Sequence, residues 1–387
     1  MKIGLCTPYK VDNYGTKLQA YAVQEKIRSM GYEVEVVNFD RRSDVRVSRL
    51  LRRYLNSDYI KGKIKARKDL RFENDAIRTN LRIRKDAINC FDQSHYSLSP
   101  IIKGYNTLHN YGERYSAVVC GSDQIWLPGS INNPTTTLEF APDGCRRIAF
   151  APSFGISEIP EKLKERYRVF LRRFDFLSAR EIKGAEIIRE LIGKDVPVVL
   201  DPTLSVEKKL WDRLAEEGRT SIREPYMFCY FLGQTERHRI ESRRIADKLG
   251  LKLVTLPHFK HYVPADEDLS DYQLYNVTPC DFVRFIKEAK FVCTDSFHAT
   301  VFSILYQKKF MTFERFELQD KRSANSRIYS LLGQLELLDH IWSEDTGIDT
   351  ETEKPDFDFV NKKLAILRQE TDSYLKNAFD GIEKAEK

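Results

Sequence analysis

The residue in this chain best placed to do chemistry is a histidine that opens a helix directly after an apolar strand. In FVCTDSFHATVFSILYQKKFMTF, residues 291–313, the run Phe291-Val292-Cys293 reads as a buried strand and Thr294-Asp295-Ser296 as a turn. His298 then falls on the first turn of an apolar-periodic helix. Backbone N–H groups there lack intrahelical partners, and the positive end of the helix dipole favours a bound anion. Imidazole exchanges protons near neutral pH, so His298 can serve as acid or base, although a solitary histidine is more often structural. Asp295 can orient that ring or cap the helix, and Ser296 can donate to an anion or cap. Arginine offers a planar fork that grips carboxylate or phosphate. Arg180 ends an apolar strand, with an ion pair to Glu181 as its alternative. Arg327 sits near the start of another helix, where a cation is unfavourable unless an anion shares the site. Polar turns Asp12-Asn13-Tyr14-Gly15 and Gly121-Ser122-Asp123-Gln124 follow two further apolar runs. Asn13, Tyr14, Gly15, Asp123 and Gln124 are therefore candidates to line a cleft; Trp126, just beyond, is a core residue or a platform for a sugar ring.

The elements that must position these residues alternate strand with helix over 387 residues, too long for one ordinary core. The pattern predicts two α/β domains facing a cleft. The first spans 1–204 and opens with strand Lys2–Cys6, a loop over Thr7–Gly15 and a helix from Lys17 to Met30. Strands are also expected at Ala117–Cys120, Arg146–Ala151, Phe174–Ala179 and Val196–Leu200. A basic helical insertion occupies about 41–110. The second domain, 205–342, carries the histidine turn; 343–387 is an acidic linker and a final helix from about Phe357 to Phe379. In open α/β sheets ligands bind beyond the carboxyl ends of the strands, where all the candidate residues fall.

Composition narrows the functional classes. With 42% hydrophobic and 31% charged residues, and no apolar run near the roughly 18–20 residues of a membrane span, the chain reads as a globular cytoplasmic protein. The N-terminal MKIGLCTPY lacks the apolar region of a signal peptide. Seven cysteines without a Cys-x-x-Cys pair fit neither a disulfide framework nor a zinc motif, and His258-x-x-His261 is too common a spacing to count. The net charge of +6 is concentrated between Arg41 and Lys85, which leaves open a peripheral contact with the inner face of the membrane. Few aromatics interleave those charges and no reader motif is present, so nucleic acid is not an expected partner. No metal is expected.

Seven motifs in order resemble the polysaccharide pyruvyl transferases. They are Asp12-Asn13-Tyr14-Gly15 with Leu18-Gln19-Ala20-Tyr21-Ala22, GSDQIW at 121–126, Ala151-Pro152-Ser153-Phe154-Gly155, Ser178-Ala179-Arg180-Glu181, VLDPTL at 199–204, TDSFHA at 294–299 and SRIYSLLGQLEL at 326–337. The family usually has Gly at 299, Ala at 16 and Val at 179, small differences at packed positions. The resemblance implies a GT-B-like pair of Rossmann-like domains. It also implies a transferase that moves pyruvate from phosphoenolpyruvate onto two hydroxyls of a sugar, in a surface polysaccharide or its lipid-linked precursor. Phosphoenolpyruvate is then a substrate and no cofactor is needed. Under that reading His298 and Asp295 are catalytic, Arg180, Ser296 and Arg327 bind the donor, and Asn13, Tyr14, Gly15, Asp123 and Gln124 line the acceptor side or the cleft. A nucleotide-sugar glycosyltransferase and a non-catalytic glycan-binding protein are the alternatives, since one architecture serves several functions.

Overall fold

A computed structural model describes residues 2–40, 75–259, 262–316, 325–342 and 354–384. The basic residues 41–74, His261 and the acidic stretch 343–353 lie outside the described residues. Strands are β1 (Lys2–Cys6), β2 (Val34–Val36), β3 (Phe39–Asp40), β4 (Ile102–Lys103), β5 (Tyr115–Cys120), β6 (Arg146–Ala149), β7 (Tyr226–Tyr230), β8 (Lys252–Thr255), β9 (Tyr272–Gln273), β10 (Phe291–Thr294) and β11 (Lys309–Thr312). They form a four-stranded sheet ordered β2-β1-β5-β6, a five-stranded sheet ordered β11-β10-β7-β8-β9, and a small β3-β4 pair. All the pairings are parallel, which explains the nearly unbroken apolar runs: helices cover both faces, and β7 and β10 are buried throughout.

Strand order reverses between β1 and β5 in the first sheet and between β7 and β10 in the second. At such switch points the connections leave in opposite directions and open a crevice at the carboxyl ends. The turn at 121–124 follows β5, and the turn at 294–296 ends β10.

Two expected strands are reduced to isolated bridges, Ile148 with Phe176 and Ala179 with Val198. The first helix begins at Tyr14, three residues before the expected Lys17, because the Asn13 side chain caps it by accepting from the Thr16 N–H at 3.1 Å. Gly15 is thereby moved from a loop into the first helical turn.

The two sheets are joined through side chains that cross between them. The Tyr14 hydroxyl donates to the Val277 carbonyl at 3.1 Å, and its ring stacks on Phe282 at 4.9 Å. From the Asp75–His95 helix, buried Arg84 donates to the carbonyls of Pro257 at 2.6 Å and Leu274 at 2.9 Å. Ile77, Ile88 and Phe91 of the same helix are buried, so this part of the basic insertion packs on the protein rather than presenting an apolar face outward. The Phe357–Phe379 helix returns to the first sheet, where Tyr374 donates to Ala149 O at 2.7 Å and Thr371 Oγ1 accepts from Leu200 N at 3.1 Å. No helix among the described residues is long and apolar enough to cross a membrane.

Candidate active site

Both switch points converge on His298. Its helix, Phe297–Leu305, is capped by Ser296, whose side chain accepts from the Ala299 N–H. The imidazole is buried against the first turn of the Tyr14–Ser29 helix, so closely that a Cβ on Gly15 would lie 2.3 Å from His298 Nδ1. Glycine is required there by this close approach of two helix ends, one from each sheet.

On its other side the ring meets a carboxylate. His298 Nε2 lies 3.6 Å from Asp201 Oδ2. Asp201 caps the short Pro202–Ser205 helix with its other oxygen, which accepts from Thr203 N at 3.0 Å and Thr203 Oγ1 at 2.6 Å. Oδ2 also receives Arg180 Nη1 at 2.9 Å and Ser122 Oγ at 3.3 Å. Burial works against a charged carboxylate, but His298, Arg180 and Thr203 outweigh it and hold Asp201 well below the usual range.

Two guanidiniums, one from each sheet's surroundings, flank the Phe297 ring: Arg180 at 4.6 Å and Arg327 at 5.8 Å from its centroid. Asp123 lies between them, 3.9 Å from Arg180 Nη2 and 4.0 Å from Arg327 Nη1, and accepts from Thr16 Oγ1 at 2.7 Å. Its backbone has φ of 67°, which turns the side chain off the end of β5 into this cluster. Burial opposes ionisation of Asp123, yet His298, Arg180 and Arg327 keep it below the ordinary carboxylate range. Arg180 is raised despite burial because Asp201, Glu181 and Asp123 surround it. Arg327 goes the other way, pushed down to about 9 by burial and by the charge of Arg180. Among the described residues, Arg180 Nε and Nη2, Glu181 Oε2 and His298 Nε2 are buried without a hydrogen-bond partner. Arg180 Nε and Nη2 lie 3.6 Å from Glu181 and 3.9 Å from Asp123, so this guanidinium is held by ion pairs in a geometry that also suits a carboxylate or phosphate.

A model of the polysaccharide pyruvyl transferase family matches residues 13–315. The chain belongs to that family. It is a transferase, and its α/β fold is built on two parallel sheets. The match takes in Asn13, Asp123, Arg180, Asp201 and His298 and ends before Arg327. Among curated proteins no match is found. Of solved structures, the UDP-GlcNAc 2-epimerase from Neisseria meningitidis bound to UDP-GlcNAc is similar at 8% identity and a TM-score of 0.49, over 99% of this chain and 95% of that one. The wall teichoic acid polymerase TagF is similar at 12% identity and a TM-score of 0.47, over 99% of this chain and 85% of that one.

The structure distributes the expected site residues of this transferase unevenly. His298, Arg180, Arg327, Asp123 and Gly15 come together. Asp295 does not face the imidazole: its carboxylate accepts from Leu232 N and Gly233 N, both at 2.7 Å, and clamps the end of β7 to β10. The cap expected of Asp295 is made by Ser296 instead. Asn13 is occupied in capping, Tyr14 is buried between the sheets, and Gln124 packs against Gly155, where a Cβ would lie 2.7 Å from its Nε2. Trp126 is a core residue, packed on Phe154, Phe170 and Phe174 with Nε1 donating to Thr136 O at 3.1 Å. His258 is buried with its N–H donating to Asp266 at 2.8 Å. Asp201 was missed as a site residue, although its signal was visible: an Asp-Pro cap directly after an apolar run, inside VLDPTL.

Proposed function

We propose that the transferase takes pyruvate from phosphoenolpyruvate and installs it as a ketal on two hydroxyls of a sugar in a surface polysaccharide or its lipid-linked precursor. The observation that supports this most is the buried grouping of an imidazole with two guanidiniums around Phe297. A small dianion with an acid-sensitive double bond suits it. Arg180 and Arg327 hold the carboxylate and phosphate of the donor, and their charges are offset by Asp123 and Asp201 until it arrives. His298 delivers a proton to the methylene carbon, the central carbon becomes oxocarbenium-like, and one sugar hydroxyl adds to it. Loss of phosphate and attack by the second hydroxyl close the ketal, so each turnover consumes one phosphoenolpyruvate and releases one phosphate and no water. No cofactor takes part in this scheme.

The test is thermal unfolding of the purified protein with phosphoenolpyruvate and, separately, with a nucleotide sugar. A ligand at a hundred times its Kd stabilises by about 2.7 kcal/mol. Stabilisation by phosphoenolpyruvate that disappears in Arg327→Ala is expected. A response to the nucleotide sugar alone would overturn the proposal in favour of glycosyl transfer.

A further inference from the structure

The end of the Asp75–His95 helix meets the second sheet's helices at a group of side chains that the transfer reaction does not use. His95 is the last residue of that helix, Glu217 follows the Lys208–Glu216 helix, and Cys280 is the second residue of the Pro279–Glu288 helix. They are far apart in sequence, which is why no motif announces them. His95 Nε2 lies 3.0 Å from Glu217 Oε2 and 3.9 Å from Cys280 Sγ, and one ligand atom from each of the three falls within 4.8 Å of the others.

We propose that His95, Glu217 and Cys280 bind a zinc-class divalent cation that ties the Asp75–His95 helix to the second α/β unit. Around a tetrahedral zinc ion with bonds of about 2.0–2.3 Å, neighbouring ligand atoms stand roughly 3.3–3.8 Å apart, so the group needs only small side-chain adjustments to close on one. Imidazole, carboxylate and thiolate together are a set that zinc accepts, and solvent completes the fourth position beside exposed Glu217. The outer partner of the histidine is also in place. His95 Nδ1 lies 2.8 Å from Ser94 Oγ and 3.3 Å from Phe91 O, and stacking on Phe91 at 3.9 Å fixes the ring plane. In the tautomer that donates from Nδ1 to the Phe91 carbonyl, the Nε2 lone pair faces Glu217 Oε2, the orientation that a metal-bound imidazole needs. The site is structural in this account: it joins elements and leaves His298, Arg180 and Arg327 to their own chemistry.

Cobalt(II) is the probe, because thiolate ligation gives it a near-ultraviolet charge-transfer band and tetrahedral geometry gives it strong visible bands. The experiment is run in a Cys90→Ser background, which removes the exposed thiol and leaves the remaining six cysteines buried. One equivalent of cobalt is expected to produce both bands, zinc to abolish them by displacement, and Cys280→Ser and His95→Gln each to lose the thiolate band or the binding. Zinc is also expected to raise the unfolding temperature of the Cys90→Ser protein, reversibly with a chelator, and not to raise that of a folded Cys280→Ser variant. No thiolate band at stoichiometric cobalt, or a band that survives Cys280→Ser, would overturn the site and leave His95 and Glu217 as a simple hydrogen-bonded pair. Neither readout depends on the transferase reaction.

Discussion

Replacing Gly15 with alanine separates the stability of this fold from its chemistry more cleanly than any change to a charged residue. Gly15 is helical, and the roughly 1 kcal/mol by which alanine is favoured over glycine in a helix offsets part of the about 1–3 kcal/mol that overpacking costs, so the substitution should lower stability modestly without unfolding the protein. The new Cβ would nevertheless stand 2.3 Å from His298 Nδ1, 2.5 Å from Cγ and 2.7 Å from Cβ, where ordinary contact begins at 3.4 Å. The ring must therefore retreat by roughly 1 Å, and misplacement on that scale can cost about a hundredfold in rate. It cannot retreat without changing its 3.6 Å spacing from Asp201, which Arg180 and Thr203 hold in place. The assay is phosphate release from phosphoenolpyruvate in the presence of a glycan acceptor, read beside thermal unfolding with and without the donor. Gly15→Ala should lose about two orders of magnitude in kcat while remaining folded and still stabilised by phosphoenolpyruvate. Turnover within twofold of the parent protein would refute the idea that the close approach of the two helix ends sets the position of the imidazole.

Further predictions concern the charges around it. Asp201→Asn keeps a capping side chain but removes the negative charge shared by Arg180 and His298, and should cost about 3–5 kcal/mol in urea unfolding at pH 7. Because the folded carboxyl is held well below the usual carboxylate range, that contribution is present above the ordinary carboxyl value of about 3.9 and is lost as pH falls below it; the gap between the two proteins should narrow on acidification below about pH 4. Arg327→Gln should raise the unfolding temperature of the ligand-free protein, since burial and Arg180 disfavour this cation, while abolishing the stabilisation by phosphoenolpyruvate. Asp295→Asn should lower stability by weakening the clamp on Leu232 and Gly233, with kcat at permissive temperature falling far less than in His298→Ala. A fall in kcat equal to that of His298→Ala would return Asp295 to the chemistry.

Local signals placed the candidate residues well wherever position follows chain direction. His298 after an apolar strand and the turn at Asp123 depend on a few neighbouring residues, and both sit at the carboxyl edges of parallel strands, whereas Arg180 follows a segment that pairs only through single bridges. What could not be read locally was which polar group meets which. Asp295 is three residues from His298 and Asp201 is 97 residues away, yet the distant carboxylate faces the ring, because the turn directs Asp295 back toward β7. Gly15 was visible as a turn residue, but its purpose depended on recognising Asn13 as a cap, which starts the helix earlier and brings the bare Cα against the imidazole. The strands expected at 174–179 and 196–200 carry the right apolar residues and still pair only through single bridges, since pairing depends on neighbouring backbone that periodicity does not report.

Transfer carried out in deuterium oxide tests the central claim most directly, because a proton delivered from an exchangeable side chain such as His298 leaves its label in the product. The account predicts that the ketal methyl group on the glycan carries one deuterium, that phosphate appears in equal amount, and that both vanish in His298→Ala. A product whose methyl carries no deuterium, or a His298→Ala variant that forms the ketal at the parent rate, would contradict it.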